Sequence, residues 1–241
     1  MFNIYRKEIN SFLSSLIAYI VITVFLVAMG LLVWVFPETN VIDYGYADMG
    51  TFFTMAPFVL MFLIPAITMK MLAEETKTGT IEILLVKPVT KLQVILGKYF
   101  ATLTLVIVAI LPTLVYYYSL YQLAAPLGNI DTAGIAGSYI GLLLLASVFS
   151  ALGIFSSAMT NNQVVAFIIS TFLSFILFTG LNSLAGINVW SAISLPLSKM
   201  SLEYHYHAMS KGLLDSRDII YMISVGTILL YFSKLILDYK K

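Results

Sequence analysis

The chain has 241 residues, of which 60% are hydrophobic and only 10% charged, with a net charge of +1 and a mean hydropathy of +0.97. A soluble domain carries about a quarter of its residues as charges. The apolar excess here lies in runs of the roughly 20 residues that a helix needs to cross a bilayer, so the composition predicts an all-α polytopic membrane protein that forms a single transmembrane domain over 1–241. There is no cysteine, which excludes disulfides, cysteine-held metals and thiol nucleophiles.

In chain order, Phe2, Ile4, Tyr5 and Ile9 surround Arg6, Lys7 and Glu8, and residues 1–11 read as an amphipathic lead at the membrane surface. Span 1 covers about 12–36. It is too long for a signal-peptide core and no small-x-small cleavage site follows it, so it reads as retained. Trp34 suits the far interface, and a polar loop with Glu38, Asp43 and Asp48 follows over 37–50. Span 2 covers about 51–72 and contains Pro57 and Pro65, which predict kinks. Span 3, about 93–123, starts with Lys98 one or two turns inside, where its long stem can snorkel toward water.

A tight loop at 126–131 leads into a stretch, 132–198, without a charged residue. At about 1.5 Å per residue this is too long for one crossing. Thr160-Asn161-Asn162-Gln163 divides it into span 4 (about 133–158) and span 5 (about 164–185). Residues 187–216 include Trp190, Lys199, Glu203, His205, His207, Lys211 and Asp215, a mixture too polar to cross; they read as an interfacial or re-entrant segment on the extracytoplasmic side. Span 6, about 218–237, has Lys234 snorkelling near its end. Six spans place both termini on one side. With the termini, 74–98 and the 160s turn in the cytoplasm, ten of the 13 Lys and Arg residues lie there, against Lys199, Lys211 and Arg217 outside. That is the bias of the positive-inside rule.

One block between spans 2 and 3, residues 74–89, is dense in charge. Gly79 suits the positive φ that ends a helix, Thr80 can cap a new one, and Pro88 stops it while disfavouring helical geometry at Lys87. Within 80–86, Ile81, Leu84 and Leu85 form one apolar stripe and Glu82 lies off it. A helix of two turns is marginal alone in water. Its stripe calls for a partner groove or the membrane surface.

The chemistry in the rest of the chain is sparse. No charge sits near the middle of a span, where ion-coupled carriers bury theirs. The phosphate-binding pattern G-x-x-x-x-G-K-[ST] is absent, so any ATP and Mg would be held and hydrolysed by another subunit. No cofactor, metal or catalytic residue is assigned to this chain, and no nucleic-acid partner. Glu74-Glu75 could open the E-E-x-x-x-R motif of intramembrane proteases, but the arginine position is Gly79. Glu203-x-His205-x-His207 offers metal-ligand types, yet the i, i+2 spacing suits a strand where the neighbourhood reads as helix, so these read as interfacial histidines. Tyr116, Tyr117, Tyr118 and Tyr121 read as belt aromatics, with substrate lining as the alternative. Asn161-Asn162-Gln163 makes a hairpin turn or a second contact with a partner. Gly134, Gly137, Gly141, Ala146 and Gly153 permit close helix packing.

Glu74-Glu75, Gly79-Thr80-Ile81-Glu82, Leu84-Leu85, Pro88-Val89 and Lys98, set between spans 2 and 3 of six, resemble the ABC-2 class of ABC transporter permeases. Within that class, Lys211-Gly212-Leu213-Leu214-Asp215 and Arg217-Asp218-Ile219-Ile220-Tyr221 are most similar to the gliding-motility (GldF-like) permeases. The resemblance implies a membrane subunit in a bacterial inner membrane that couples ATP hydrolysis by a separate nucleotide-binding subunit to movement of a substrate. It implies that Glu74, Glu75, Gly79, Thr80, Ile81, Glu82, Leu84, Leu85 and Pro88 form the coupling site, with 80–86 as coupling helix. It also implies a second permease chain, identical or homologous, and, for GldF-like proteins, a GldA-like ATPase and a GldG-like membrane companion. The alternative is a subunit that anchors partners and transmits force without translocating anything.

Overall fold

A long helix of small and apolar residues, Thr132–Met159, is the axis of the molecule. The computed structural model describes residues 1–37, 39–41, 48–80, 89–186 and 194–239. Among these every regular element is helical. They are α1 (Phe2–Leu13), α2 (Leu16–Trp34), α3 (Gly50–Thr68), α4 (Ala73–Lys77), α5 (Lys91–Ile110) and α6 (Leu114–Leu123). After the axial helix, α7, come α8 (Gln163–Phe175), α9 (Leu181–Ala185), α10 (Ser194–Lys199), α11 (Leu202–Met209) and α12 (Ser216–Tyr239). Among the described residues five helical stretches are long and apolar enough to cross a membrane, and the bent pair α1–α2 brings the number to six when it is taken as one span. The chain is a multi-pass membrane protein.

The central place of α7 follows from its sequence. Its apolar window is 72% buried, whereas those of spans 5 and 6 are each 22% buried. Small residues let neighbours approach its backbone. A Cβ on Gly153 would strike the Thr68 side chain of α3, and one on Gly141 would lie 2.5 Å from Cβ of Met209 on α11. A Cβ on Gly137 would lie 2.6 Å from the Gly212 carbonyl oxygen, where Gly212 turns at φ +81°. Gly134, Gly137 and Gly141 thus serve packing within the chain.

Several spans differ in detail from the periodicity. The first run is not one helix from residue 12: α1 ends at Leu13 and a turn at Ser14–Ser15 separates it from α2. α3 is continuous through Pro57 and Pro65. Pro57 has no N–H, which leaves the Phe53 carbonyl without its helical partner; the Tyr206 hydroxyl of α11 donates to that oxygen at 2.8 Å. Span 3 changes to a 3₁₀ turn at Leu111–Thr113, where Pro112 removes another helical donor. Span 5 contains a π-helical turn at Ile176–Gly180 between α8 and α9. Tyr116 turns toward its neighbours: its ring packs edge-on against Trp34 and Phe52, and its hydroxyl donates to the Leu26 carbonyl at 3.1 Å. Tyr118, 62% exposed, does face outward.

The helices gather the charged residues at two ends. At one end, the α4 end, Lys77 lines a cavity with Met159, Thr160, Asn161 and Asn162. Lys91 there donates to the Leu237 carbonyl at 2.6 Å and lies 3.3 Å from Asp238, a cation at the C-terminus of α12. The opposite, α11 end carries Lys199, Glu203, His205, His207, Asp215, Arg217 and Asp218 around another cavity.

Candidate functional site

The chain leaves α3 through a turn and immediately forms α4, five residues long and far too short to persist alone. Three tertiary features hold it. Ser157 of α7 accepts from the backbone N–H groups of Leu72 and Ala73, both at 3.0 Å, and donates to the Met69 carbonyl at 3.1 Å. It thereby satisfies donors that a helix start leaves orphaned. Gly79 closes the other end at φ +71°, the left-handed geometry expected of it. The third feature is an ion-pair junction.

That junction joins α1, α4 and α5. The Lys98 ammonium lies 2.9 Å from Oε1 of Glu8 and 2.9 Å from Oε2 of Glu75. The contact with Glu8 has hydrogen-bond alignment; the one with Glu75 Oε2 is an ion-pair contact without it. Lys7 donates to Oε1 of Glu75 at 2.7 Å and lies 3.4 Å from Glu8. Lys98 is fully buried, so the expectation that it snorkels is corrected. A buried ammonium costs several kcal/mol unless paired, and two carboxylates hold it in place. Burial works against the charge of Lys7, but the hydrogen bond and attraction from Glu75, with a contribution from Glu8, raise its pKa above the ordinary lysine value.

Backbone fit brings α1 to this place. A Cβ on Gly97 would lie 3.0 Å from Ile4 Cγ2 and 3.2 Å from the Met1 carbonyl oxygen, so α1 lies directly on α5. The Tyr5 hydroxyl lies 3.1 Å from Thr104 Oγ1, and the Lys70 ammonium sits 4.9 Å over the Phe12 ring. α5 itself begins with a capping box: Gln93 N–H donates to Thr90 Oγ1, and Thr90 N–H donates to Gln93 Oε1.

Of the sequence-derived coupling residues, Glu75 is engaged inside the chain by Lys7 and Lys98, while Glu74 is exposed. The Thr80 hydroxyl is within 3.0 Å of Thr78 Oγ1 and donates to the Glu75 carbonyl at 3.4 Å, facing back toward α4. Ile81, Glu82, Leu84, Leu85 and Pro88 lie outside the described residues. Sequence reasoning missed Glu8 and Lys7 as members of the site. The available signal was Lys98, since a cation inside an apolar run requires a partner.

At the α11 end, Glu203, His205 and His207 stand on a helix, so the i, i+2 spacing sends the two imidazoles to different sides. His205 has both ring nitrogens engaged, by Asp218 and by the Lys199 carbonyl, and His207 lines a different cavity beside Asp48 and Asp131 as well as the one His205 lines. Among the described residues, no group of three or more His, Asp or Glu side chains is arranged to hold a metal.

Helices that span, a hub of small residues and a charged junction beside a short connecting segment define a membrane component rather than a soluble enzyme. Residues 37–198 match the family model described as ABC-2 family transporter protein. The chain belongs to that family, the transmembrane component of ABC transporters, which works with an ABC ATPase subunit. No curated protein matches the chain.

Proposed function

We propose that this protein is the permease subunit of an ATP-driven transporter in a bacterial cytoplasmic membrane, with both termini, the ion-pair junction and the 160s turn in the cytoplasm. Residues 80–86 are the coupling helix that docks on a separate nucleotide-binding subunit. The observation that carries this reading is that Glu75, before the 81–88 segment, and Lys98, after it, are 2.9 Å apart. Both arms of the connecting segment are therefore tied to one point, and a push on it reaches spans 2 and 3 together. Exposed Glu74 and the Asn161-Asn162 turn flank the same end and suit contacts with a basic rim on the ATPase. Two permease chains and two ATPases make the working complex. The segment 211–221 supports a GldF-like assignment, with GldA-like and GldG-like partners, at the level of sequence resemblance.

The test is a mild-detergent pull-down of tagged protein beside an Ile81→Asp/Leu84→Asp variant. An ATPase subunit should co-purify with the wild type and be lost from a variant that still inserts. Retention by the variant, or no ATPase with the wild type, overturns the coupling assignment. ATPase activity that ignores candidate cargo but depends on extracytoplasmic partners favours force transmission over transport.

A further inference from the structure

At the α11 end, His205 stands between groups that can only accept, and the geometry points to a proton-held latch that fastens α10 and α11 to span 6. Nε2 of His205 is 2.9 Å from the Lys199 carbonyl oxygen at the end of α10, and Nδ1 is 2.7 Å from Oδ1 of Asp218 on α12. A backbone carbonyl cannot donate, so Nε2 carries a hydrogen. An ionised carboxylate cannot donate either. The closed arrangement is complete only when the His205–Asp218 pair holds one proton more than neutral imidazole plus carboxylate, whether as imidazolium or as carboxylic acid. Without that proton the neutral ring has one N–H for two acceptors, so lone pairs oppose each other either at Nδ1 and Oδ1 or at Nε2 and the Lys199 oxygen, and one contact has to open.

The surroundings make this contact a mechanical one. The His205 ring stacks on Tyr221 of α12, centroids 3.9 Å apart, and the Tyr221 hydroxyl donates to the Met200 carbonyl at 2.6 Å, between α10 and α11. From the adjoining face of α11, Tyr206 donates to the Phe53 carbonyl in α3. Helix α11 thus links span 2 to span 6, and His205 is the titratable part of the link. The groups that face it are Lys199 from α10, and Glu203, Tyr204 and His207 from its own helix. From α12 come Asp215, Arg217, Asp218 and Tyr221. Glu203 is held by Asn182 at 3.1 Å and Asp215 caps the N–H of Arg217 at 2.9 Å, so Asp218 is the carboxylate hydrogen-bonded to the imidazole.

The sign follows from linkage: the closed form binds the extra proton, so the latch is favoured at low pH and loosens as pH rises. The cavity beside it, about 610 Å³ and lined by Asn182, Lys199 and Arg217 among others, becomes more accessible when it opens.

Because the chain contains no cysteine, paired spin labels can be placed at Leu195→Cys on α10 and Ile220→Cys on α12, both exposed positions. Distances are read by electron–electron double resonance in nanodiscs at about pH 5 and about pH 8.5, on either side of the range in which histidines ordinarily titrate. The wild type should give a single narrow distribution at low pH and a broader one with a longer component at high pH. His205→Gln should lose this pH response. Asp218→Asn should stay narrow at both pH values, because the asparagine amide can donate to Nδ1 of a neutral ring. A wild type that does not respond, a His205→Gln protein that responds like the wild type, or an Asp218→Asn protein that still opens at high pH overturns the latch. Nanodiscs expose both faces, so this result is independent of orientation and of any ATPase partner.

Discussion

The two ends of the bundle use charge in opposite ways. At the α4 end, Lys7, Lys98, Glu8 and Glu75 neutralise one another, with Lys98 fully buried between two carboxylates. Lys7 and Lys98 each lie within 3.4 Å of both carboxylates, so α1, α4 and α5 are tied at one point. At the α11 end, short helices are fastened by hydrogen bonds to backbone carbonyls at Phe53, Lys199 and Met200, and one of those contacts depends on a proton. The first arrangement suits a part that must transmit a push without yielding. The second suits a part whose closure is conditional.

The contrast can be broken most severely at Lys98. Lys98→Met leaves Glu8 and Glu75 facing each other with Lys7 as their remaining cation. Breaking a buried pair by removing one partner costs about 3–5 kcal/mol, which should appear as a large fall in the thermal midpoint of detergent-solubilised protein. The outer fastening should respond less. Tyr206→Phe orphans the buried Phe53 carbonyl beside Pro57, a cost of about 1–3 kcal/mol, again read from the thermal midpoint. The smallest effect should come from Lys7→Ala, because that side chain is 53% exposed and solvent screens its pairing. About 0–1 kcal/mol is expected. If Lys7→Ala destabilised the protein as much as Lys98→Met, the junction would be a surface network rather than a buried lock.

Much of the membrane architecture was legible because its signals are local. Apolar runs of spanning length gave the helices, Thr160-Asn161-Asn162-Gln163 gave the turn between α7 and α8, and Gly79 gave the stop after α4. The small residues of span 4 pointed to close packing, though not to the 209–212 turn as the surface they receive. What escaped were pairings across the chain. Lys98 meets Glu8, 90 positions away, and Tyr206 meets Phe53, 153 positions away. Each was half visible: a cation in an apolar run lacks a partner, and a proline in a helix leaves a carbonyl lacking one. Sequence periodicity states such a need without saying which residue meets it. The π-helical turn at Ile176–Gly180 has no comparable signal, since its residues continue the apolar pattern of span 5. Residues 81–88, which include most of the proposed coupling helix, lie outside the described residues, and the proposal for them rests on sequence resemblance and on the contact between Glu75 and Lys98 on either side.

The measurement that bears most directly on the junction as a force-transmitting unit is the ATPase rate of the assembled complex carrying Glu75→Gln/Lys98→Met. This pair of changes removes the tie between the two arms but leaves the 80–86 stripe intact. The ATPase subunit should still co-purify, while its hydrolysis rate falls away from that of the wild-type complex to that of the free subunit. A variant complex that hydrolyses ATP at the wild-type rate, still responding to the permease, would contradict the proposal that the Glu75–Lys98 contact carries the push from the 80–86 helix to spans 2 and 3.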